Sequence, residues 1–491
     1  MKVRRIMLAG LVVAAAMATA TSGAEDQKYM RSSIYSVLVN SPEQNTRLDN
    51  EAKETDATGY AEALEGSGLT SLGEIPAMVF PQLAIPEQFN NHNLDVVVID
   101  FDQLSSGISE DEAKEARPKG GGAGKFLKGV AASQLGGNSS MVRVEKVDDY
   151  MHAVVNKFIA DNKVAPMMVA KWYNYDPNRQ PQFNEEIILE RGLENASAAE
   201  LAKADANSAA AAMLSAQGFE LLNNTYLVAT NLRFRNNKAL AKEISDLAGQ
   251  AAAAAGSRAG ALGGLAAMGV QKGVEASLNA LMKDLYSVTA VTNLYKLDWN
   301  DDIDATLSEN VLYKEGATLD DLLNSGLCNI TYVGQTKARS GVKKDKNKTM
   351  AELAASATAR AIDKALAKLQ VEHEAFRTTV PVSKSADGFV YAKIGTKEGV
   401  TEGDEYEILE QQLDPKTNKI TYKKVGAAKV EKDGVWFNTT GADELIANAD
   451  EKEAEALKAA QELGYTKLKA NKKDYSGYYL RLKKKKGKIE D

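Results

Sequence analysis

Asn223-Asn224-Thr225-Tyr226-Leu227-Val228-Ala229-Thr230 is the stretch that decides the fold of the largest part of this chain of 491 residues. Its β-branched and aromatic residues predict a strand. The alanine-rich residues 196–218 come shortly before it and predict a helix, for which Asn195 is the N-cap. A predicted helix over residues 147–160 and a predicted strand over residues 167–173 show the same order upstream. Helices and strands that alternate in this way are typical of an α/β layer domain.

This α/β domain is expected to extend over residues 91–375, with the Ala- and Gly-rich residues 236–283 as a helical insertion. The continuous β-branched run at residues 96–99 predicts a central strand that is covered on both faces. Apolar residues at helical spacing over residues 349–370 predict an amphipathic helix. Three further strands are predicted, at residues 286–297, 309–313 and 328–335.

The C-terminal part of the chain changes to short strand-like runs that are separated by turns. Gly399 and Gly403 stand where tight turns require a positive φ. The sequence Asp-Pro-Lys-Thr-Asn at residues 414–418 predicts a hairpin loop. Five or six short strands at this spacing predict a small β-barrel over residues 376–442.

Residues 1–24 have the layout of a secretory signal peptide, with a basic start, an apolar run and small residues at the cleavage point. This layout predicts an exported protein of the cell envelope, either periplasmic or associated with the outer membrane. The peptide carries three of the positive charges, so its removal changes the formal net charge from -7 to -10. A charge of that sign disfavours binding to nucleic acid. Residues 25–90 are expected to form an irregular N-terminal arm.

Two segments resemble domains of known bacterial envelope proteins. The turn pattern Gly399-Val400 and Gly403-Asp404, followed by alternating hydrophobic residues and Asp414-Pro415, resembles the SH3-like barrel of the flagellar assembly protein T. The alanine-rich helix followed by Leu221-Leu222-Asn223-Asn224-Thr225-Tyr226-Leu227-Val228 resembles the α/β units of the TolB N-terminal and curli-secretion (CsgG-like) class. These resemblances imply an SH3-like barrel at the C-terminus and an α/β module before it.

The whole chain resembles a family of uncharacterised secreted proteins of Bacteroidota. The residues that carry this resemblance are Met168-Val169-Ala170-Lys171-Trp172-Tyr173-Asn174, Glu190-Arg191-Gly192-Leu193 and Asn224-Thr225-Tyr226. It implies an envelope protein, and it implies no activity and no catalytic residue.

Two motifs resemble ligand-binding loops, one for phosphate and one for calcium, and each matches the consensus of its loop only in part. Gly120-Gly121-Gly122-Ala123-Gly124-Lys125 lacks the first glycine of a phosphate-binding loop, and Phe126 replaces its hydroxyl residue, so a flexible loop is predicted there. Residues 298–309 place oxygen-bearing side chains at positions 1, 3, 5, 7 and 12, which is the spacing of a calcium loop. Ile303 stands where that loop needs glycine. Calcium binding and an acidic hairpin turn both stay open for this segment.

The histidines and the single cysteine do not indicate a functional site. His92, His152 and His373 have no second ligand at metal-binding spacing, and Cys328, the single cysteine, is expected to be a buried and inert thiol. No catalytic residue, cofactor or metal is therefore predicted. Paired carboxylates, such as Glu185-Glu186, leave a hydrolase open, and a cleft that holds two close carboxylates with one of them desolvated would favour it.

Two segments of unusual composition each have more than one interpretation. Residues 247–271 carry one charge, Arg258, and repeat glycine every four residues, which suits a tightly packed helical pair, a segment that docks a partner, or membrane insertion. Residues 443–491 are expected to be a charged helix and a basic tail. Its lysines and tyrosines suit a solvated end or contact with an anionic membrane surface.

These observations predict a multidomain α+β or α/β protein that ends in a small SH3-like barrel. We expect a non-enzymatic structural or assembly protein of the envelope, which docks to other envelope proteins. An envelope hydrolase built from distant carboxylates, and a subunit of a secretion or pore-forming assembly, are the alternatives. The sequence leaves the partner and the oligomeric state open.

Overall fold

The computed structural model describes residues 32–83, 85–86, 89–91, 97–118, 146–194, 208–243, 245, 283–414, 416–417 and 419–489. These residues form two sheets with helices packed around them, which confirms the predicted mixed α+β class. We call residues 32–372 the α/β module and residues 376–489 the C-terminal module. The predicted signal peptide, the Gly-rich residues 120–137 and residues 247–271 lie outside the described residues.

The sheet of the α/β module is mixed parallel and antiparallel. Strand β1 is parallel to β2, β3 and β4, whereas β4, β5 and β6 form an antiparallel meander. The order is β2-β1-β4-β5-β6, with β3 pairing with β1 beyond the end of β2. The strands are β1 (Ser32–Asn40), β2 (Phe89–Asn91), β3 (Val98–Asp100), β4 (Thr225–Asn236), β5 (Tyr286–Asp298) and β6 (Asn329–Gly341).

Helices cover both faces of this sheet. In chain order they are α1 (Pro42–Thr55), α2 (Ala57–Leu64), α3 (Ile75–Val79), α4 (Phe101–Ser105), α5 (Glu110–Glu115), α6 (Lys146–Asp161), α7 (Val164–Trp172), α8 (Glu186–Glu194), α9 (Ser208–Asn223), α10 (Asp301–Leu307), α11 (Leu319–Leu323) and α12 (Met350–Glu372). Helices α1–α3 and α12 pack on one face, and α4 and α6–α11 pack on the other. Among the described residues, no helix combines the length and the apolar character needed to cross a bilayer.

The prediction of an irregular arm at residues 25–90 was wrong, because β1 lies in the interior of the sheet. Ile34, Tyr35, Val37 and Leu38 are fully buried. Their side chains are apolar on both faces of the strand, as a covered parallel strand requires. In the run predicted as a central strand at residues 96–99, by contrast, residues 98 and 99 belong to the short strand β3, Val98 is 36% exposed, and residue 96 lies outside the described residues.

Two other predicted strands are helical, whereas the helix predicted at residues 147–160 is confirmed as α6. Residues 167–173 lie mainly in α7, and Ser308–Leu312 forms a helical turn. A short continuous apolar run does not distinguish a buried strand from a buried helix. The packing of Met168 and Trp172 into the core beside α6 decides for a helix here.

The C-terminal module contains one antiparallel sheet, with α13 (Ala442–Ala447) and α14 (Glu451–Glu462) inserted after its fifth strand. The order is β7-β13-β10-β11-β12-β9-β8. Val382 N donates to Tyr478 O at 2.8 Å, and Ser383 N donates to Tyr391 O at 2.8 Å. One bent segment therefore touches both ends of the sheet. The strands are β7 (Val380–Pro381), β8 (Lys384–Ala386), β9 (Phe389–Ala392), β10 (Glu405–Leu413), β11 (Ile420–Val430), β12 (Thr466–Lys469) and β13 (Tyr479–Lys484).

The predicted end of the barrel at residue 442 was wrong, since residues 443–491 include more than a charged helix and a tail. Strands β12 and β13 pair inside the sheet, and Leu468, Tyr475 and Leu480 are fully buried. Lysines alternate with these apolar residues and obscure the strand period in the sequence. Gly399 and Gly403 have φ values of 72° and 79°, as predicted for the turns before β10.

Candidate functional site

The carboxyl ends of parallel strands are the usual ligand position in α/β sheets. In this protein β1 and β3 end side by side at Asn40 and Asp100, and α1 and α4 begin directly after them. At the same level, the core-facing side chains of strand β4 change from apolar to polar. Its core-facing Ala229 is followed on that face by Asn231 and Arg233, which are also buried. We call the polar groups around this edge the β1-end network.

The N-terminus of α1 in this network is occupied by a carboxylate of the same chain. Ser41 Oγ donates to Asp102 Oδ1 at 2.6 Å, and Glu43 N donates to Asp102 Oδ2 at 2.7 Å. Free N–H groups and the helix dipole make such a position attractive to anions. Asp102 therefore supplies the negative charge that an anionic ligand would otherwise bring.

A buried cation lies behind this carboxylate. Arg233 is 3% exposed, forms an ion pair with Asp148 of α6, and donates from Nε to Asn231 Oδ1 at 3.0 Å. Asn231 Nδ2 in turn donates to Val39 O at 3.0 Å and to Gln44 Oε1 at 3.2 Å. Buried charges persist when they are paired in this way. The β1-end network thus links β1, α1, α6 and β4 through groups of the chain itself.

One group in the β1-end network is left over. Gln44 Nε2 is buried and has no hydrogen-bond partner among the described residues. It is a neutral amide donor, so it adds neither a nucleophile nor a base to the network. The arrangement is suited to holding elements together and has no proton-transfer pair. Sequence reasoning missed Asp102 and Arg233, although a polar start to the helix after β3 and arginines in an apolar strand are visible signals.

A second cluster brings together two carboxylates that are distant in the sequence. Tyr173 OH, at the end of α7, donates to Asp304 Oδ1 of α10 at 2.8 Å. Burial raises the pKa of Asp304, and burial followed by the charge of Asp304 raises the pKa of Glu185. The half-buried Cys328 lies near Tyr173, and burial raises the pKa of its thiol to about 12. We call Tyr173, Glu185 and Asp304 the carboxylate pair cluster.

The calcium loop and the hairpin turn considered for residues 298–309 were both wrong, because residues 301–312 are helical. Asp298 Oδ2 accepts from Thr331 Oγ1 at 2.7 Å, whereas Asn300 caps α10 by accepting from Ile303 N at 2.9 Å. Asp304 faces Tyr173 instead. The oxygens therefore diverge, and the described residues include no group of three or more His, Cys, Asp or Glu that could hold a metal.

The histidines have structural surroundings where the structure describes them. His152 is 5% exposed and packs edge-on against Tyr332, and burial lowers its pKa to about 4. His373 caps the end of α12, and burial lowers its pKa as well. A Cβ at Gly334 would lie 1.9 Å from His373 Nε2, so glycine is required for this approach. His92 lies outside the described residues.

The two modules are joined by a buried ion pair. Arg360 Nη1 of α12 lies 3.2 Å from Glu444 Oε2 of α13, and these residues are 2% and 1% exposed. Glu444 Oε1 also accepts from Lys348 Nζ at 2.8 Å and from Ser356 Oγ at 2.9 Å. Each carboxylate oxygen thus has a partner from the α/β module. We call these four residues the Arg360–Glu444 joint.

A second contact joins the modules on another side. The β10–β11 hairpin contacts α9 and α10, with Lys419 Nζ 2.7 Å from Asp301 Oδ2 and Tyr422 OH 3.5 Å from Glu220 Oε2. Burial raises the pKa of Glu220 to about 7. Burial also raises the pKa of Asp363 and of Glu398, near the first joint, to about 6. Two separate contacts therefore hold the modules in one arrangement.

Helix α12 also covers the outer edge of strand β6. Arg360 Nη2, Lys364 Nζ and Lys368 Nζ donate to the carbonyl oxygens of Gly341, Arg339 and Lys337 at 3.1, 3.2 and 3.0 Å. Four helical residues rise about 6 Å and two strand residues about 6.6 Å, so the two spacings match. Charged side chains of this kind protect an edge strand from pairing with another chain.

No protein-family model matches this chain, and no curated protein matches it either. The resemblances to the flagellar assembly protein T, to the TolB N-terminal and CsgG-like class and to secreted proteins of Bacteroidota therefore stay predictions.

Proposed function

We propose that this protein is a non-enzymatic structural or assembly protein of the cell envelope, which acts by docking to other envelope proteins. The observation that carries the proposal is the position of Asp102. At the sheet edge where α/β proteins bind anionic ligands, this carboxylate already accepts from Ser41 and Glu43. Because Asp102 occupies this position, the N-terminus of α1 contributes to folding and is not free to bind a small anion.

The way in which the modules are joined supports the same role. The Arg360–Glu444 joint and the contact of Tyr422 with Glu220 connect the C-terminal module to α12 and α9, which pack on opposite faces of the sheet of the α/β module. Because two separate contacts hold the C-terminal module, its surfaces keep a fixed orientation relative to those of the α/β module. Docking to a partner costs less ordering entropy when that geometry is already present.

Photo-cross-linking in intact cells tests the docking role. A photo-reactive phenylalanine analogue is placed at Tyr313, which is 53% exposed on the α/β module, or at Leu463, which is 42% exposed on the C-terminal module. Both side chains are large, apolar and exposed, so the substitution leaves the core intact. We expect one of the two positions to capture a defined envelope protein that mass spectrometry identifies reproducibly.

The control carries the same analogue at Lys346, an exposed residue in a lysine-rich loop. Capture of one partner from Tyr313 or Leu463, and not from Lys346, supports docking through a specific surface. Recovery of the chain alone from all three positions would contradict the proposal.

The carboxylate pair cluster favours the alternative of an envelope hydrolase. Glu185 and Asp304 are close enough for the charge of Asp304 to raise the pKa of Glu185, and Tyr173 holds Asp304 in place. Two coupled carboxylates with displaced pKa values are a feature of general acid–base sites. A screen of chromogenic esters and glycosides decides this alternative. It requires turnover that Asp304→Asn abolishes and that Asp302→Asn, in the same helix, leaves unchanged.

The third role, a subunit of a secretion or pore-forming assembly, depends on residues 247–271. These residues lie outside the described part of the chain.

A further inference from the structure

The outward face of strands β8, β9 and β12 combines lysines with aromatic rings. Val390, Ala392 and Leu468 point into the core of the C-terminal module, so the residues that alternate with them point outward. On the outward positions of these three strands there is no acidic residue. We define the lysine face as Lys384, Phe389, Tyr391, Lys467 and Lys469, together with Lys429 on the neighbouring strand β11.

The pairing of the strands places lysines and rings side by side. Tyr391 lies between Lys384 and Lys467, and Phe389 is opposite Lys469. Lys467 Nζ lies 4.0 Å from the centre of the Phe389 ring, and Lys384 Nζ lies 5.4 Å from that of Tyr391. The ammonium groups of Lys384 and Lys467 therefore lie over aromatic rings.

One pair of this face works against the stability of the sheet. Lys429 and Lys469 are directly opposite each other across β11 and β12, and both are exposed. Like charges in that position repel and destabilise a sheet. On its other side Lys429 is opposite Glu405 of β10, whose carboxylate is paired with Lys486 Nζ at 3.0 Å. Among the described residues none of the four lysines pairs with a carboxylate, whereas the nearby Lys424 and Lys486 pair with Glu407 and Glu405. An anion from outside the chain would remove this repulsion.

Two lysines of the C-terminal run are paired with carboxylates of the same module. Lys485 Nζ lies 2.6 Å from the buried Asp404 Oδ2, and Lys486 Nζ lies 3.0 Å from Glu405 Oε1. These charges are neutralised within the chain and are not presented to a partner. Lys483, Lys484 and Lys488 of the same run are exposed and add to the positive charge of the module, whereas the lysine face combines its lysines with aromatic rings.

We infer that the lysine face binds the anionic phospholipid surface of a membrane, so that the protein is held at the bilayer through its C-terminal module. The inference is independent of the proposed docking role.

The composition of the face favours lipid over other anionic partners. Protein interfaces favour arginine and are depleted in lysine, and this face has lysine and no arginine. A lysine ammonium group is a point charge, whereas the planar guanidinium group of arginine can form two hydrogen bonds to a carboxylate of fixed orientation. A fluid array of phosphate headgroups adjusts to such charges, and tyrosine is favoured at membrane–water interfaces. Nucleic acid is disfavoured because the chain as a whole is acidic.

Vesicle co-sedimentation tests the inference, using the chain from Glu25 onward so that the apolar run at residues 6–20 does not itself bind lipid. The vesicles are pure phosphatidylcholine, or phosphatidylcholine mixed with phosphatidylglycerol. The face variant is Lys384→Gln/Lys467→Gln/Lys469→Gln. The matched control is Lys346→Gln/Lys452→Gln/Lys458→Gln, which removes three exposed lysines elsewhere and changes the net charge equally.

The unmodified chain is expected to bind the phosphatidylglycerol vesicles, to ignore pure phosphatidylcholine and to dissociate at high salt. Each surface lysine contributes about fivefold, so the face variant should bind roughly 100-fold more weakly, and the control should bind as the unmodified chain does. Equal binding by the two triple variants would overturn the inference. So would an absence of vesicle binding, including the case in which polyglutamate or duplex DNA binds instead. Circular dichroism verifies that the variants are folded.

Discussion

The Arg360–Glu444 joint, where the C-terminal module meets the α/β module, and the lysine face on the C-terminal module use charge in opposite ways. In the joint, a carboxylate that is 1% exposed receives Arg360, Lys348 and Ser356 from the α/β module. On the lysine face, exposed ammonium groups stand opposite each other with no carboxylate between them. Charges that are satisfied inside the chain determine how the modules sit together. The charges that have no carboxylate partner at this surface are the basis of the proposed binding to an anionic membrane.

The largest effect is expected from Glu444→Gln. The substitution removes the negative charge and leaves Arg360 buried without a counter-ion, since Arg360 is 2% exposed. Breaking a buried pair in this way should lower the free energy of unfolding by about 3 kcal/mol. Denaturant unfolding measures it. Glu455→Gln, on the exposed side of α14, is the control and should change stability by less than about 0.5 kcal/mol. Equal effects of the two substitutions would show that the joint contributes nothing.

Asp102→Ala tests whether a carboxylate of the chain occupies an anion position. The loss of its bonds to Ser41 and Glu43 should cost about 1–2 kcal/mol of unfolding free energy. Inorganic phosphate should then raise the melting temperature of the variant and leave that of the unmodified chain unchanged. The control is Glu115→Ala, at an exposed position in α5. A variant that is destabilised but insensitive to phosphate would refute the anion position.

The pH dependence of stability should reveal the hairpin contact between the modules. Burial raises the pKa of Glu220 to about 7, so the folded protein retains a proton there that the unfolded chain has released. This contribution is present at low pH and is lost as the pH rises through 7. Burial lowers the pKa of His152 and acts in the opposite direction, so the comparison with a variant is required.

The comparison is between the unmodified chain and Glu220→Gln, unfolded by denaturant from about pH 6 to about pH 8. The unmodified chain should lose stability relative to the variant as the pH rises. Glu455→Gln should show no such divergence. Parallel curves for the unmodified chain and Glu220→Gln would indicate that Glu220 is ionised across this range.

The smallest effect, and of opposite sign, is expected from Lys469→Thr on the lysine face. Removing the repulsion with Lys429 should stabilise the protein by roughly 0.5 kcal/mol while weakening its binding to anionic vesicles. Lys423→Thr is the control, because Lys423 lies opposite Glu410 and its loss should destabilise slightly. If Lys469→Thr lowers the melting temperature, the two lysines do not repel each other appreciably.

The long regular elements were accessible from the sequence. The helix predicted at residues 349–370 is α12, and the strand predicted at residues 286–297 is β5. Both are long enough for their period to outweigh local ambiguity. Residues 167–173 and 309–313 were assigned to strands because a short apolar run fits either element. Strands β12 and β13 were missed because lysine and arginine alternate with their apolar residues.

The candidate sites were less accessible than the fold. Asp102 and Ser41 are distant in the sequence, as are Glu185 and Asp304, and no local pattern relates the members of either pair. The lysine face is assembled from four strands, and its absence of carboxylates is a property of the sheet register. A local motif search finds residues that are close in the sequence, whereas these residues are close only in the folded structure.

The sequence by itself determined the mixed α+β class, the position of α12, the turns at Gly399 and Gly403 and the excess of acidic charge. These follow from periods, from backbone restrictions and from composition, which are local or additive properties. The tertiary structure alone decided that Asp102 caps α1, that Glu444 is neutralised by Arg360 and Lys348, and that Lys429 faces Lys469. Charge pairing depends on distances of a few ångströms between residues far apart in the chain, and only the folded arrangement sets those distances.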